Sequence, residues 1–172
     1  RAKPKRTILF IGFAGEEFGL LGAQAWVKAH KDKLPKIANL FNRDGGPEPP
    51  VGISVPQAMY DDFVKISEPI QKIRPDYPFE VKVREPRKRP TRMGGTDASV
   101  FAIEGVPTLG FTTEDFKGYD FDYGEIWHTE RDLYTKNIPE YQEHTATVTA
   151  IIALGVANLD KQLSREGLYT EE

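Results

Sequence analysis

The sequence predicts an α/β domain with a mostly parallel sheet sandwiched between helices. Three observations carry this. Thr7-Ile8-Leu9-Phe10-Ile11-Gly12-Phe13-Ala14 is a near-continuous apolar run, as in a central strand covered on both faces. A helical stretch and a second apolar run follow it, and strand–helix–strand is the right-handed crossover unit. Finally, Tyr141, Thr145, Val148, Ile152, Val156, Leu159 and Leu163 step by 4, 3, 4, 4, 3 and 4, the stripe of a long closing helix.

The elements follow in order. Glu17 to about His30 has good helix formers and no Pro. Ile37 to Asn42 reads as a second buried strand, stopped by Asp44-Gly45-Gly46-Pro47. A short strand is expected near Val51 to Val55. Phe63, Ile66, Ile70 and Ile73 mark one helical face, with a kink or restart expected at Pro69. Phe79 to Val83 alternates like an edge strand. Residues 84 to 95 form a basic loop. Asp97 to Ile103 reads as a short helix, Pro107 to Phe111 as another buried strand, and Glu114 to Trp127 as a long loop rich in acids and aromatics. Pro139 suits the first turn of the closing helix. No repeat or internal domain boundary interrupts the order. The start, Arg1-Ala2-Lys3-Pro4-Lys5-Arg6, is neither an initiator Met nor a signal peptide, and reads as the back part of a longer protein.

Composition narrows the function. The 172 residues are 39% hydrophobic and 28% charged, which excludes collagen-like and disordered classes. No apolar stretch approaches the ~20 residues of a membrane-spanning helix. The net charge of −3 argues against a general nucleic-acid binder. With no Cys, any metal must be held by His, Asp and Glu, and the only His are His30, His128 and His144.

Sites in open α/β sheets form beyond the carboxyl ends of strands. The first apolar run ends at Glu16-Glu17, the second at Asp44, and the Pro107–Phe111 segment feeds the loop that reaches His128. Adjacent carboxylates at such a corner point in different directions. One can bind a divalent metal while the other serves as general base, because the metal lowers the pKa of water toward ~7. Each residue also has a plainer reading. Glu16 and Glu17 suit a helix N-terminus, Asp44 before Gly-Gly suits a turn, and a lone His is often a satisfied polar residue. Asp132 can orient His128 as a hydrogen-bond acceptor. His30 and His144 are expected to face solvent. Arg84, Arg87, Lys88, Arg89 and Arg92 suit either a substrate carboxylate or a solvated loop. Phe121, Tyr123 and Trp127, with Phe116 and Tyr119, either wall a pocket for an apolar side chain or cover the sheet edge.

Together these elements carry a family resemblance. Gly15-Glu16-Glu17-Phe18-Gly19-Leu20-Leu21-Gly22 resembles the Gly-Glu-Glu-x-Gly-Leu-x-Gly signature of co-catalytic zinc aminopeptidases, metallopeptidase family 28, which includes glutamate carboxypeptidase and the related glutaminyl cyclases. Asn42-Arg43-Asp44 resembles its Asn-x-Asp segment. Gly95-Thr96-Asp97-Ala98 with Gly105-Val106-Pro107 resembles its Ser-Asp-His…Gly-x-Pro stretch, and His128-Thr129-x-x-Asp132 its His-Thr segment. The resemblance runs from about Arg6 to Leu163. It implies one zinc-exopeptidase-like catalytic domain over residues 1–172, lacking its N-terminal part. It implies two zinc ions in the complete site, Glu16 as general acid/base, Glu17 and His128 as ligands of one zinc, Asp44 as ligand of the other, and Asp97 in support. It also implies a peptide substrate and a secreted or periplasmic location. Two departures stand out. Ala98 replaces the His of Ser-Asp-His, and the upstream His-x-Asp ligand and the bridging Asp are not in this chain. The activity implied is removal of an N-terminal residue. The alternatives are a glutaminyl-cyclase-like transferase and a non-catalytic binding module on the same fold.

Overall fold

The computed structural model describes residues 2–170. Among the described residues five α-helices run in chain order: α1 (Leu21–Ala29), α2 (Tyr60–Ile73), α3 (Ala98–Ile103), α4 (Tyr123–Ile126) and α5 (Pro139–Asn158). Three strands, β1 (Pro50–Val55), β2 (Glu80–Val83) and β3 (Phe111–Thr113), form one sheet in the order β2-β1-β3. β1 runs parallel to β2 and antiparallel to β3, with an irregularity between Pro50 and Gly52. The class is α/β, but this small sheet is mixed, and β2 is an edge strand with an exposed burial pattern.

Two apolar cores hold these elements. In the first, Phe63, Ile66 and Ile70 of α2 meet Val148 and Ile152 of α5 over Ile53 and Val55 of β1. α2 runs unbroken through Pro69, whose missing N–H lies on the exposed side, so neither a break nor a restart occurs there. In the second core, Leu20, Ala23 and Val27 pack on Val100, Phe101 and Val106, joined by Trp26 and Phe13.

The two long apolar runs depart from expectation. Residues 7–14 join no strand ladder among the described residues. Their Leu9 and Phe10 are 63% and 93% exposed. An apolar pattern encodes a preference for burial, whereas a strand also needs a neighbouring backbone to pair with. Ile37–Asn42 runs beside Pro107–Leu109 without forming a ladder. Leu40 N donates to Pro107 O (2.9 Å), and the Asn39 side chain brackets Leu109 by accepting from its N–H (2.8 Å) and donating to its carbonyl (3.2 Å). Pro107 has no N–H with which to return a ladder bond, and β3 begins only at Phe111.

His144 also departs from expectation. It is fully buried on α5, with its ring stacked on Tyr77 (4.0 Å between centroids). The buried stripe is Tyr141, His144, Val148, Ile152 and Val156, so His144 takes the inward position that the spacing assigned to Thr145. His30 is half-buried, stacked on Trp26 with Nδ1 2.9 Å from the Trp26 carbonyl. The basic loop is stitched to the body of the domain. Arg89 Nε donates to Ile103 O at the end of α3 (2.9 Å), Arg87 donates to Thr108 Oγ1 (2.9 Å), and Arg84 donates to Leu168 O (3.5 Å).

Candidate metal centre

Glu16 and Glu17 sit on a tight turn that enters α1. Gly19 N and Leu20 N both donate to Glu16 O (3.0 and 2.8 Å), while Leu21 N and Gly22 N reach back to Gly15 O and Ala14 O (3.1 and 2.8 Å). Leu20 is buried in a left-handed conformation (φ 61°), which anchors the turn in the second core. Gly22 is required by close approach, since a Cβ there would lie 2.6 Å from Ala14 O. The helix therefore starts four residues later than the pattern suggested, and both glutamates ride on the turn ahead of it.

His128 lies just beyond α4, 111 residues from Glu17 in sequence. Its φ of 56° is unusual for a side chain with a Cβ, though His is among the residues that tolerate it. Its Nε2 lies 2.9 Å from Glu17 Oε1, and its ring stacks on Trp127. Thr129 Oγ1 donates to Glu125 O (2.7 Å) and ties this corner to α4. Asp132 lines the same cleft, but among the described residues no hydrogen bond joins it to His128.

Asp44 stands in a turn that its neighbours hold. Asn42 Nδ2 donates to Asp44 Oδ2 (3.3 Å), and Arg43 Nη2 donates to Glu48 O (2.6 Å) and to Gly46 O. Asp97 precedes α3 and is buried, and its Oδ1 has no hydrogen-bond partner. Glu16 feels all of these groups. Partial desolvation raises its pKa first, and repulsion from Glu17, Asp44 and Asp97 adds to the rise against a smaller opposing pull from His128. Burial likewise raises Asp97, with Asp44 adding to it. Removal from water leads the rise at both residues, and crowded like charge adds to it.

Glu16, Glu17, Asp44, Asp132 and His128 all line one open cleft of about 1560 Å³, which continues along the small-residue side of α5 past Thr149 and Ala153. Tyr123 and Trp127 line it too. Phe121 does not; its ring packs on Gly46 instead. Arg43, not foreseen as a site residue, brings a guanidinium to the cleft wall. It is the middle residue of the Asn-x-Asp segment, so its position next to Asp44 was the available signal.

The donor types, imidazole nitrogen and carboxylate oxygen, suit zinc. Their number is short. Among the described residues no three His, Asp or Glu side chains converge closely enough to hold an ion. Glu17 and His128 form one adjacent pair of donors.

Fold and site together define an α/β domain with a glutamate–histidine pair and further carboxylates lining one cleft. The profile of peptidase family M28 matches residues 1–152, and the chain belongs to that family. Mouse (Mus musculus) carboxypeptidase Q is 24% identical over 168 residues, covering 95% of this chain and 32% of the relative. A probable zinc metalloprotease from Pyrenophora tritici-repentis is 50% identical over 42 residues, 24% of this chain and 10% of that protein. Among solved structures, a peptidase M28 precursor from Shewanella amazonensis SB2B superposes with a TM-score of 0.70 at 26% identity, covering 94% of this chain and 34% of the other. The chain thus spans about a third of the length of the carboxypeptidase Q relatives it matches.

Proposed function

We propose that this chain is the part of a zinc-dependent exopeptidase that carries the general acid/base, and that the enzyme removes N-terminal residues from peptides. The observation that carries the reading is the difference in surroundings between two adjacent glutamates. Glu17 faces His128 at 2.9 Å, whereas Glu16 stands beside them with its proton affinity raised. Glu17 and His128 would hold one zinc, and Asp44 would contribute to a second. Zinc, when bound, supplies a Lewis acid for the scissile carbonyl and for the attacking water. Glu16 takes a proton from that water on a carboxylate oxygen and delivers it to the departing amine. A raised pKa suits both transfers, because the same group must accept and then release a proton near neutral pH. The exposed carboxylates of Glu17, Asp44 and Asp132 give the cleft a negative rim that favours a substrate's α-ammonium group.

A second reading has its own support. The relatives matched along nearly the whole chain are named carboxypeptidases, and Arg43 offers the cleft a cation for a terminal carboxylate. The test uses the full-length protein, zinc-loaded, on peptides blocked at one end or the other, with products identified by mass spectrometry. Loss of the N-terminal residue from C-terminally amidated peptides is expected. Cleavage confined to N-acetylated peptides with free C-termini would overturn the aminopeptidase reading. Ammonia release from an N-terminal Gln peptide, without free amino acid, would point instead to a cyclase.

A further inference from the structure

Asp44 and His128 lie on separate loops, and something must set one against the other. We propose that Phe121 and Gly46 form a positioning joint that holds the Asp44 turn against the loop delivering His128; the functional meaning of this joint rests on the reading of Asp44 and His128 as ligands.

The contact is close. A Cβ on Gly46 would lie 2.5 Å from Phe121 Cζ and 2.7 Å from Cε1. Such distances are far inside van der Waals contact, so any side chain at 46 must displace the ring. Gly46 is not among the glycines with positive φ, so its backbone alone would accept alanine. The Phe121 ring, with Tyr123 Cδ2 a further 3.3 Å neighbour of the same point, and not the backbone conformation, demands glycine at this position.

Phe121 is braced from behind. The Asp115 carboxylate accepts from Tyr119 N (3.0 Å), from Phe121 N (3.4 Å) and from the Tyr141 hydroxyl (2.6 Å). Tyr141 is fully buried on α5, and its hydroxyl accepts from Lys117 N (3.0 Å). The loop before Phe121 is thereby tied to the longest helix. In the forward direction, Asp122 Oδ1 accepts from Gly124 N (2.8 Å) and caps α4, which ends at the His128 corner. On the other side of the joint, the grip of Arg43 on the Gly46 and Glu48 carbonyls makes the Asp44 turn a stiff unit. Pressure on Gly46 is thus transmitted to Asp44, and a shift of Phe121 is transmitted to α4 and His128. A loop contact of this kind can set ligand spacing without touching metal or substrate, because each side is tied back by its own hydrogen bonds.

The test compares the full chain with Gly46→Ala, Phe121→Leu and the double variant. Hydrogen exchange read by mass spectrometry over 121–129, where the Glu125, Trp127 and Thr129 amides donate hydrogen bonds, and tryptic cleavage after the exposed Arg43 are the first measurements, since they need neither metal nor activity. Gly46→Ala is expected to speed both at least tenfold, while exchange in α2 is unchanged. In the Phe121→Leu background, where the Phe121 ring no longer blocks the site, the same substitution is expected to add less than twofold. Faster cleavage after Arg43 without faster exchange in 121–129, or an equal effect of Gly46→Ala in both backgrounds, overturns the joint. Should Gly46→Ala fail to fold, Phe121→Leu alone decides: it must speed cleavage after Arg43 across the contact, and no change there overturns the proposal. Calorimetric zinc titration of the full-length protein and its Gly46→Ala form is the second measurement, with an affinity loss of tenfold or more expected. Absence of zinc binding by the unsubstituted full-length protein would refute the ligand assignment, and the exchange result would still judge the joint.

Discussion

Glu16 and Glu17 are neighbours in sequence with different surroundings in the cleft. Glu17 is engaged with His128, while Glu16 is partly desolvated and ringed by other acids. In the zinc-loaded full-length enzyme, Glu16→Gln should retain metal while turnover falls by roughly 10²–10⁴-fold, the usual scale of general acid–base catalysis. Steady-state kinetics beside metal analysis checks this, and near-normal rates would remove Glu16 from the mechanism. His144 makes a different prediction. Burial lowers its pKa, an effect opposed by its hydrogen bond to Pro50 O and deepened by Arg74, with Asp76 opposing and Lys117 adding. Its Nε2 lies 3.1 Å from Pro50 O, and its Nδ1 is buried without a partner. The fold therefore favours the neutral ring. Because the folded pKa lies below the ordinary 6.5, the unfolded chain binds the proton first as pH falls. The stabilising contribution is complete above pH 6.5 and is lost as pH drops below it toward the folded value. His144→Gln should flatten that slope, as read by urea unfolding at a series of pH values. An unchanged slope would place the acid sensitivity elsewhere.

At the scale of elements, the pairing of α2 with α5 holds the first core and fixes α5, to which the His128 loop is tied. Phe63 is fully buried in that pairing. Phe63→Ala removes a ring and leaves a cavity, and should cost about 3–5 kcal/mol in denaturant unfolding. Pro69 provides the opposite case. It sits inside α2, removes a helical donor and faces outward. Pro69→Ala restores the donor, and that gain should outweigh the added freedom of the unfolded chain, for a net stabilisation of at least about 1 kcal/mol. A fall in stability would mean that the proline is needed to shape the helix. The turn before α1 is an element in its own right. Burial of Leu20 and the approach of Gly22 to Ala14 place the glutamate pair on the turn and leave it free to face the cleft.

For the whole molecule, the cleft gathers acids from three loops, with His128 and Arg43 as cations or potential cations near them. Catalytic zinc normally has three protein ligands, and the described residues offer one adjacent pair and a separate Asp44. This chain by itself is therefore expected to bind zinc weakly and to show little aminopeptidase turnover. Calorimetric titration beside a chromogenic aminoacyl substrate tests this. Two tightly held zinc ions per chain together with rapid turnover would show that the ligand count is wrong.

The helices α2 and α5, the strands β1 and β2 and the paired glutamates at a corner were legible in the sequence, because periodicity, turn residues and helix starts are local properties. The family was legible for the same reason, in short segments standing in the right order. Only the tertiary structure decided what depends on partners distant in the chain. It left residues 7–14 without a strand partner among the described residues, although their composition suits a central strand. It buried His144 against Tyr77, a ring 67 positions away, where the helical stripe had offered Thr145. It turned His128 into a left-handed conformation facing Glu17, and it moved Phe121 from the cleft wall onto Gly46. Side-chain pattern states how much burial a segment prefers; which backbone or ring meets it is set by packing between segments that the pattern does not relate.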